Sequence, residues 1–200
     1  MHGPLAHFLL ASLLFFPIQS SSPQQTSSSN SKQTAAADSC ARKITYIQQN
    51  GNAAKPDQRP TVLTEDELNA YFAAGRVRLP AGVSQVRFAL APAQITSSLQ
   101  VDFDQLTAGR RSQNPLLGLF TGVHQVQVLA HGEGSGGVAH AHIDSASLDG
   151  EQIPRFVLEL FVDRLLKPKY PQASLDPAFK MPARVDTATV GKHNLTITQK

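Results

Sequence analysis

His140 and His142, separated by one residue, project from the same face of any strand that contains them. That spacing suits metal ligation by imidazole, and Asp144, two residues further on, offers a carboxylate on the same face. His124 and His131 fall on the preceding strand of a predicted hairpin. An even pairing sum across the Gly-rich turn puts His142 on the side carrying His124, and a slip of one residue brings His131 opposite His140. The candidate metal set is therefore His140, His142, His124 and Asp144. The competing arrangement is a solvent-facing strand with Ala139 and Ala141 packed inward and the imidazoles decorating the outside.

Other reactive side chains have structural explanations. Asp102 and Asp104 alternate onto one polar strand face about 7 Å apart, a spacing usable for acid/base work but also ordinary for a solvated strand beside Arg110 and Arg111. Glu65, Asp66 and Glu67 follow Thr64 as helix-start residues, with Thr64 and Glu67 in capping-box register. There is no Gly-x-Ser-x-Gly elbow, and Gly132–Gly137 lacks the Lys and Ser/Thr of a phosphate loop and opens no helix. One cysteine, Cys40, excludes an internal disulfide framework and a multi-thiolate zinc site. Cys40 falls in a polar segment and reads as a free tail thiol able to pair between chains. No catalytic residue and no cofactor emerge from these patterns.

The elements that would position such residues follow from periodicity. The spacing predicts a short amphipathic helix over 65–74, with Leu68, Tyr71 and Phe72 on its buried face and Gly75 as its stop. Val86, Phe88 and Leu90 alternate with polar neighbours. After a turn at Pro92, Ile95, Ser97, Leu99, Val101 and Phe103 do the same, giving a hairpin. Strands over 124–130 and 138–144 flank the Gly-rich turn, Asp149-Gly150 makes another turn, and a terminal hairpin covers 185–198. Between them, Phe156, Val157, Leu158, Leu160, Phe161, Val162, Leu165 and Leu166 are apolar while Arg155, Glu159 and Asp163 recur every four residues as the polar stripe, which predicts a C-terminal core helix covered on several sides. The expected fold class is α+β: a curved antiparallel sheet built from hairpins around that helix, with a short N-terminal helix.

Ahead of this domain, Phe8–Phe16 is an apolar run followed by Pro17 and Ser20, the pattern of a signal peptide over 1–20. The run is too short for a membrane span of about 20 residues, so no transmembrane domain is expected after cleavage. Residues 21–39 contain no large aliphatic or aromatic side chain, and 21–60 reads as a disordered, basic linker, with a short strand from Ile44 ending at Asn50-Gly51. The net charge of +3 sits in the first 60 residues, which hold five Lys or Arg against two Asp, while the rest carries 13 of each sign. A basic tether suits contact with an anionic envelope surface. The neutral domain, with no basic stripe among aromatics, excludes a nucleic-acid partner.

The segments Leu63-Thr-Glu-Asp-Glu-Leu-Asn69, Leu90 to Asp104, the junction from Asp149-Gly150 to Pro154, and Phe179-x-Met181-Pro182 resemble those of uncharacterised secreted bacterial envelope proteins. Their layout is similar to that of the tubular lipid-binding superfamily, in which a curved sheet wraps a long helix. The resemblance covers residues 61–200 and transfers no functional residue. It implies a secreted, non-enzymatic protein of the periplasm or outer envelope that holds a lipid or other apolar ligand between sheet and helix. Phe88, Leu99, Val101 and Phe103 would line the sheet side, and Phe156, Leu160, Phe161 and Leu165 the helix side. The alternatives are a metal-binding envelope protein using the strand histidines and a structural or protein-contact module.

Overall fold

The computed structural model describes residues 28–106 and 115–200. The proposed signal peptide, and Arg110 and Arg111, lie outside them. The chain opens with helix α1 (Ser28–Asn52), strand β1 (Thr61–Thr64) and helix α2 (Glu65–Ala73). Hairpin strands β2 (Val83–Ala91) and β3 (Gln94–Asp102) follow, then a helical turn α3 (Phe103–Leu106). Next come β4 (Val123–Ser135), β5 (Val138–Leu148), β6 (Glu151–Ile153) and α4 (Arg155–Phe161). The last elements are β7 (Ala178–Lys180), β8 (Val185–Gly191) and β9 (Asn194–Gln199). All nine strands join one sheet in the order β1-β9-β8-β4-β3-β2, and β5 pairs with β4, β6 and β7. Every ladder is antiparallel, so the class is α+β.

Helix α1 corrects the expectation of a disordered linker. Ala35, Ala36 and Ala37 are the strongest helix formers, and the polar residues around them tolerate a helix well. Ala37, Cys40, Ile44 and Ile47 recur at spacings of three and four and all are buried, the last three in the same cluster as the sheet. Ile44 to Gln49 therefore form helix rather than the expected strand. Asn50-Gly51 is helical too, not a turn: a Cβ on Gly51 would stand 2.3 Å from the Ala183 carbonyl oxygen, so only glycine permits this approach. The basic tether is corrected with it. Lys43 is bound to Glu67 at 2.7 Å, and Arg59 to Asp57 at 2.6 Å.

Polar fastenings hold α1 in place. Glu67 closes the capping box of α2, accepting from the Thr64 backbone N–H at 2.8 Å while its own N–H donates to Thr64 Oγ1 at 3.2 Å. The same carboxylate accepts from Ser39 Oγ at 2.6 Å and Lys43 Nζ at 2.7 Å. Burial alone would raise the Glu67 pKa, but these bonds outweigh it and hold the carboxyl below its ordinary value. At the other end of α1, buried Asn50 donates to Gln199 Oε1 at 2.9 Å. Gln199 Nε2 in turn donates to the Ile47 and Ala183 carbonyls at 2.7 and 2.6 Å.

The hairpins agree closely with their periodicity. Val86, Phe88, Leu90, Ile95, Ser97, Leu99 and Val101 all face inward. The Gly-rich run differs from expectation, because only Gly136 and Gly137, with φ of 61° and 84°, form the turn. Gly134 lies within β4, where a Cβ would meet Met181 Sδ at 2.7 Å. The apolar segment 155–166 is divided rather than continuous: α4 spans seven residues and passes into a π-type turn, Val162–Leu166, marked by Lys167 N–H bonding to the Val162 carbonyl at 2.8 Å.

Candidate functional site

The strand histidines are sorted into separate pairings. Between Ala130 and Ser135, β4 pairs with β5 at an odd sum, putting His131 opposite His142 and Glu133 opposite His140, whereas Val126 to Leu129 pair at an even sum. His131 therefore meets His142 rather than His140. His131 Nδ1 lies 2.6 Å from Asp144 Oδ2, and His142 Nδ1 bonds Asp176. Asp176 also receives Arg155 Nη2 at 3.0 Å. His142 Nε2 stands 3.9 Å from Asp144 Oδ1, too far for a hydrogen bond. His124 is elsewhere, at the opposite end of β4, held by Asp149 Oδ2 at 2.6 Å and the Thr121 carbonyl at 2.7 Å. Among the described residues, no group of three His, Cys, Asp or Glu is arranged to hold a metal ion.

Both ring nitrogens of His124 face acceptors, so the ring is best satisfied as imidazolium, which has no lone pair for a metal. The hydrogen bond to Asp149 raises the His124 pKa, although burial opposes it, and the bond back to His124 lowers that of Asp149. A raised folded pKa contributes stability that is complete below the ordinary value of 6.5 and disappears as pH rises through the raised one. The lowered Asp149 pKa acts in reverse, its contribution vanishing as pH falls below 3.8. His124→Gln should therefore lower Tm most between these limits and progressively less as pH rises above 6.5, as a pH series of thermal melts on both proteins would show.

Asp102 and Asp104 are also positioned by structure. Asp102 accepts from Gln105 backbone N and Nε2 at 3.0 and 2.6 Å, capping α3, and these bonds lower its pKa. Asp104 accepts from the Gly122 N–H at 3.2 Å. The Glu65 carboxylate accepts from the Leu90 N–H at 2.6 Å, tying α2 to β2.

The most ligand-like space is an apolar pocket of about 160 Å³ between β3–β5 and the segment 153–175. Leu99 and Val101 line it from β3, Phe103 from the start of α3, Val126 and Val128 from β4, and Ile143, Ala146 and Leu148 from β5. Leu158, Phe161, Val162 and Leu166 close the helical side, and Ser174 is the one polar lining residue. A bulge explains how β5 contributes residues of both parities. Leu129 pairs with Ser145 while Ala130 pairs with Ile143, so Asp144 is the extra residue and the inward face switches from odd to even numbers. Phe120 stacks on Phe161 at 4.1 Å, and Phe103 meets both edge-on.

Of the eight expected lining residues, Leu99, Val101, Phe103 and Phe161 line this pocket. Phe88 instead packs edge-on against Phe72 at 4.9 Å, joining α2 to β2. Phe156 points outward, 58% exposed. Leu160 is half-buried against the core, and Leu165 is buried outside the lining. Val126 and Val128 were findable by alternation. Ile143 was too, on the odd-numbered face of Ala139 and Ala141, but Ala146 and Leu148 were not, because a bulge leaves no simple mark in the sequence.

No family model, no curated protein and no solved structure matches this chain. Among the described residues, no helix is long and apolar enough to cross a membrane.

Proposed function

We propose that this chain is a non-enzymatic binding protein for a small apolar group, held between β3–β5 and the helical segment 155–166. The supporting observation is the pocket itself: about 160 Å³, walled by aliphatic and aromatic side chains with a single hydroxyl. A cavity of roughly 150 Å³ lined by Leu, Ile and Phe stays dry and accepts benzene. The volume therefore favours one ring or a six-carbon chain end over a whole lipid tail. Secretion to a bacterial envelope belongs to the same proposal, supported by the apolar run Phe8–Phe16 ahead of Pro17.

Benzene titrated into the full chain should raise Tm, since a ligand that binds only the folded state stabilises it by about 2.7 kcal/mol at a hundred times its Kd. Ala173→Leu places a larger side chain in the lining and should abolish the benzene shift while raising the ligand-free Tm, a gain of roughly 0.5–2 kcal/mol for filling a void. No benzene shift, together with a lower Tm for Ala173→Leu, would show a closed core and overturn the proposal.

A further inference from the structure

Immediately outside the apolar pocket lies a cleft of about 300 Å³. The two spaces share Ile143, Ile153 and Leu158 as a common wall. On its outer side the cleft adds Asp144, Ser145, Gln152 and Arg155. Apolar interior and polar vestibule thus adjoin at one place: Asp144 faces outward by alternation from Ile143, and the bulge there makes Ala146 rather than Ser145 the next residue to turn inward. Together their volumes fall within the ordinary range for small-molecule sites, roughly 300–1,000 Å³.

The charge of the vestibule indicates which polar end it would accept. The Arg155 guanidinium is committed on three sides, Nη1 to the Ile143 carbonyl at 3.0 Å, Nη2 to Asp176 at 3.0 Å and Nε to Glu159 at 3.2 Å. Two carboxylates thus balance one cation. Asp144 uses Oδ2 on His131, while Oδ1 has His142 Nε2 only at 3.9 Å, leaving that oxygen open to a donor. Resting on the apolar-ligand reading above, we propose that the ligand is a cationic amphiphile: its apolar end fills the inner pocket and its ammonium or similar donor group sits in the cleft against Asp144, with Ser145 and Gln152 alongside. An anionic head would face Asp144, and the Arg155 guanidinium in the cleft lining is already bound to Asp176 and Glu159.

Calorimetric titration of the full chain at pH 8 with benzene, hexylamine and hexanoate tests this. Hexylamine should bind at least about tenfold tighter than hexanoate, a difference of about 1.4 kcal/mol. Asp144→Asn should bring the two within about twofold of each other. Gln152→Lys, at an exposed position, should move the preference toward hexanoate, and it keeps the test decisive if the Asp144 variant does not fold. Benzene binding with hexanoate equal to or tighter than hexylamine would overturn the cationic head group and leave the apolar reading intact. Failure of benzene, hexylamine and hexanoate alike would remove the apolar reading itself.

Discussion

Ile47→Ala is expected to lower the free energy of unfolding by about 3 kcal/mol, within the roughly 2–5 kcal/mol typical of removing a buried Ile side chain. Ile47 has no exposed surface and shares one core cluster with Leu63, Leu195 and Ile197. Were α1 a tether outside the domain, the same change would fall within about 0.5 kcal/mol of zero. Urea unfolding followed by far-UV circular dichroism distinguishes these outcomes. The expected result is a lower midpoint with unchanged slope, because α1 and the sheet unfold as one cooperative unit.

Cys40 should be almost inert in the native protein. It is fully buried, and burial, followed by the nearby Glu67 carboxylate, pushes its pKa up to about 12. At pH 8 a thiol of that pKa is ionised in only ~10⁻⁴ of molecules, against a few tenths for an ordinary thiol near 8.5. Reaction with a thiol reagent should therefore be slowed by about a thousandfold or more, and should become fast in denaturant. The expectation of pairing between chains is corrected accordingly: oxidised, non-reducing gels should show monomer. Rapid labelling of the folded chain would mean that α1 detaches from the core.

The hairpins and the start of α2 were legible because each is specified locally. Alternation at Val86, Phe88 and Leu90 fixes a strand face, and Thr64 with Glu67 announces a helix start through bonds that the structure contains. Helix α1 was hidden by its small side chains. Ala37, Cys40, Ile44 and Ile47 form a seam, but only the last two look strongly apolar, and Ile44-Thr-Tyr-Ile47 also satisfies a strand pattern. The seam becomes favourable only against Leu63 and Ile197, which no local window includes. The pocket was half legible for a similar reason. Leu99, Val101 and Phe103 lie on an unbroken alternation and Ile143 continues that of Ala139 and Ala141, whereas Ala146 and Leu148 depend on the bulge opposite Leu129 and Ala130. The 155–166 segment showed its burial clearly but not its break, since a π-type turn leaves the composition unchanged.

The bonds between Gln199 and the end of α1 determine when this protein can finish folding. Asn50 and Ile47 wait for a side chain 149 and 152 residues further along, so closing that contact spans most of the chain. Until residues 183 and 199 have been made, the Gln199 amide cannot reach Asn50 and the Ile47 carbonyl and Gly51 has no Ala183 to pack against, while Asn50 is already held by the Asp57 backbone at 2.7 and 2.8 Å. Helix α1 is thus fastened at two sequence distances, its middle to Glu67 nearby and its end to Gln199 far along the chain. Loss of the Gln199 side chain would leave this end of α1 held by the Asn50–Asp57 bonds and the packing of Ile47 alone, the place where the helix would open first to a protease.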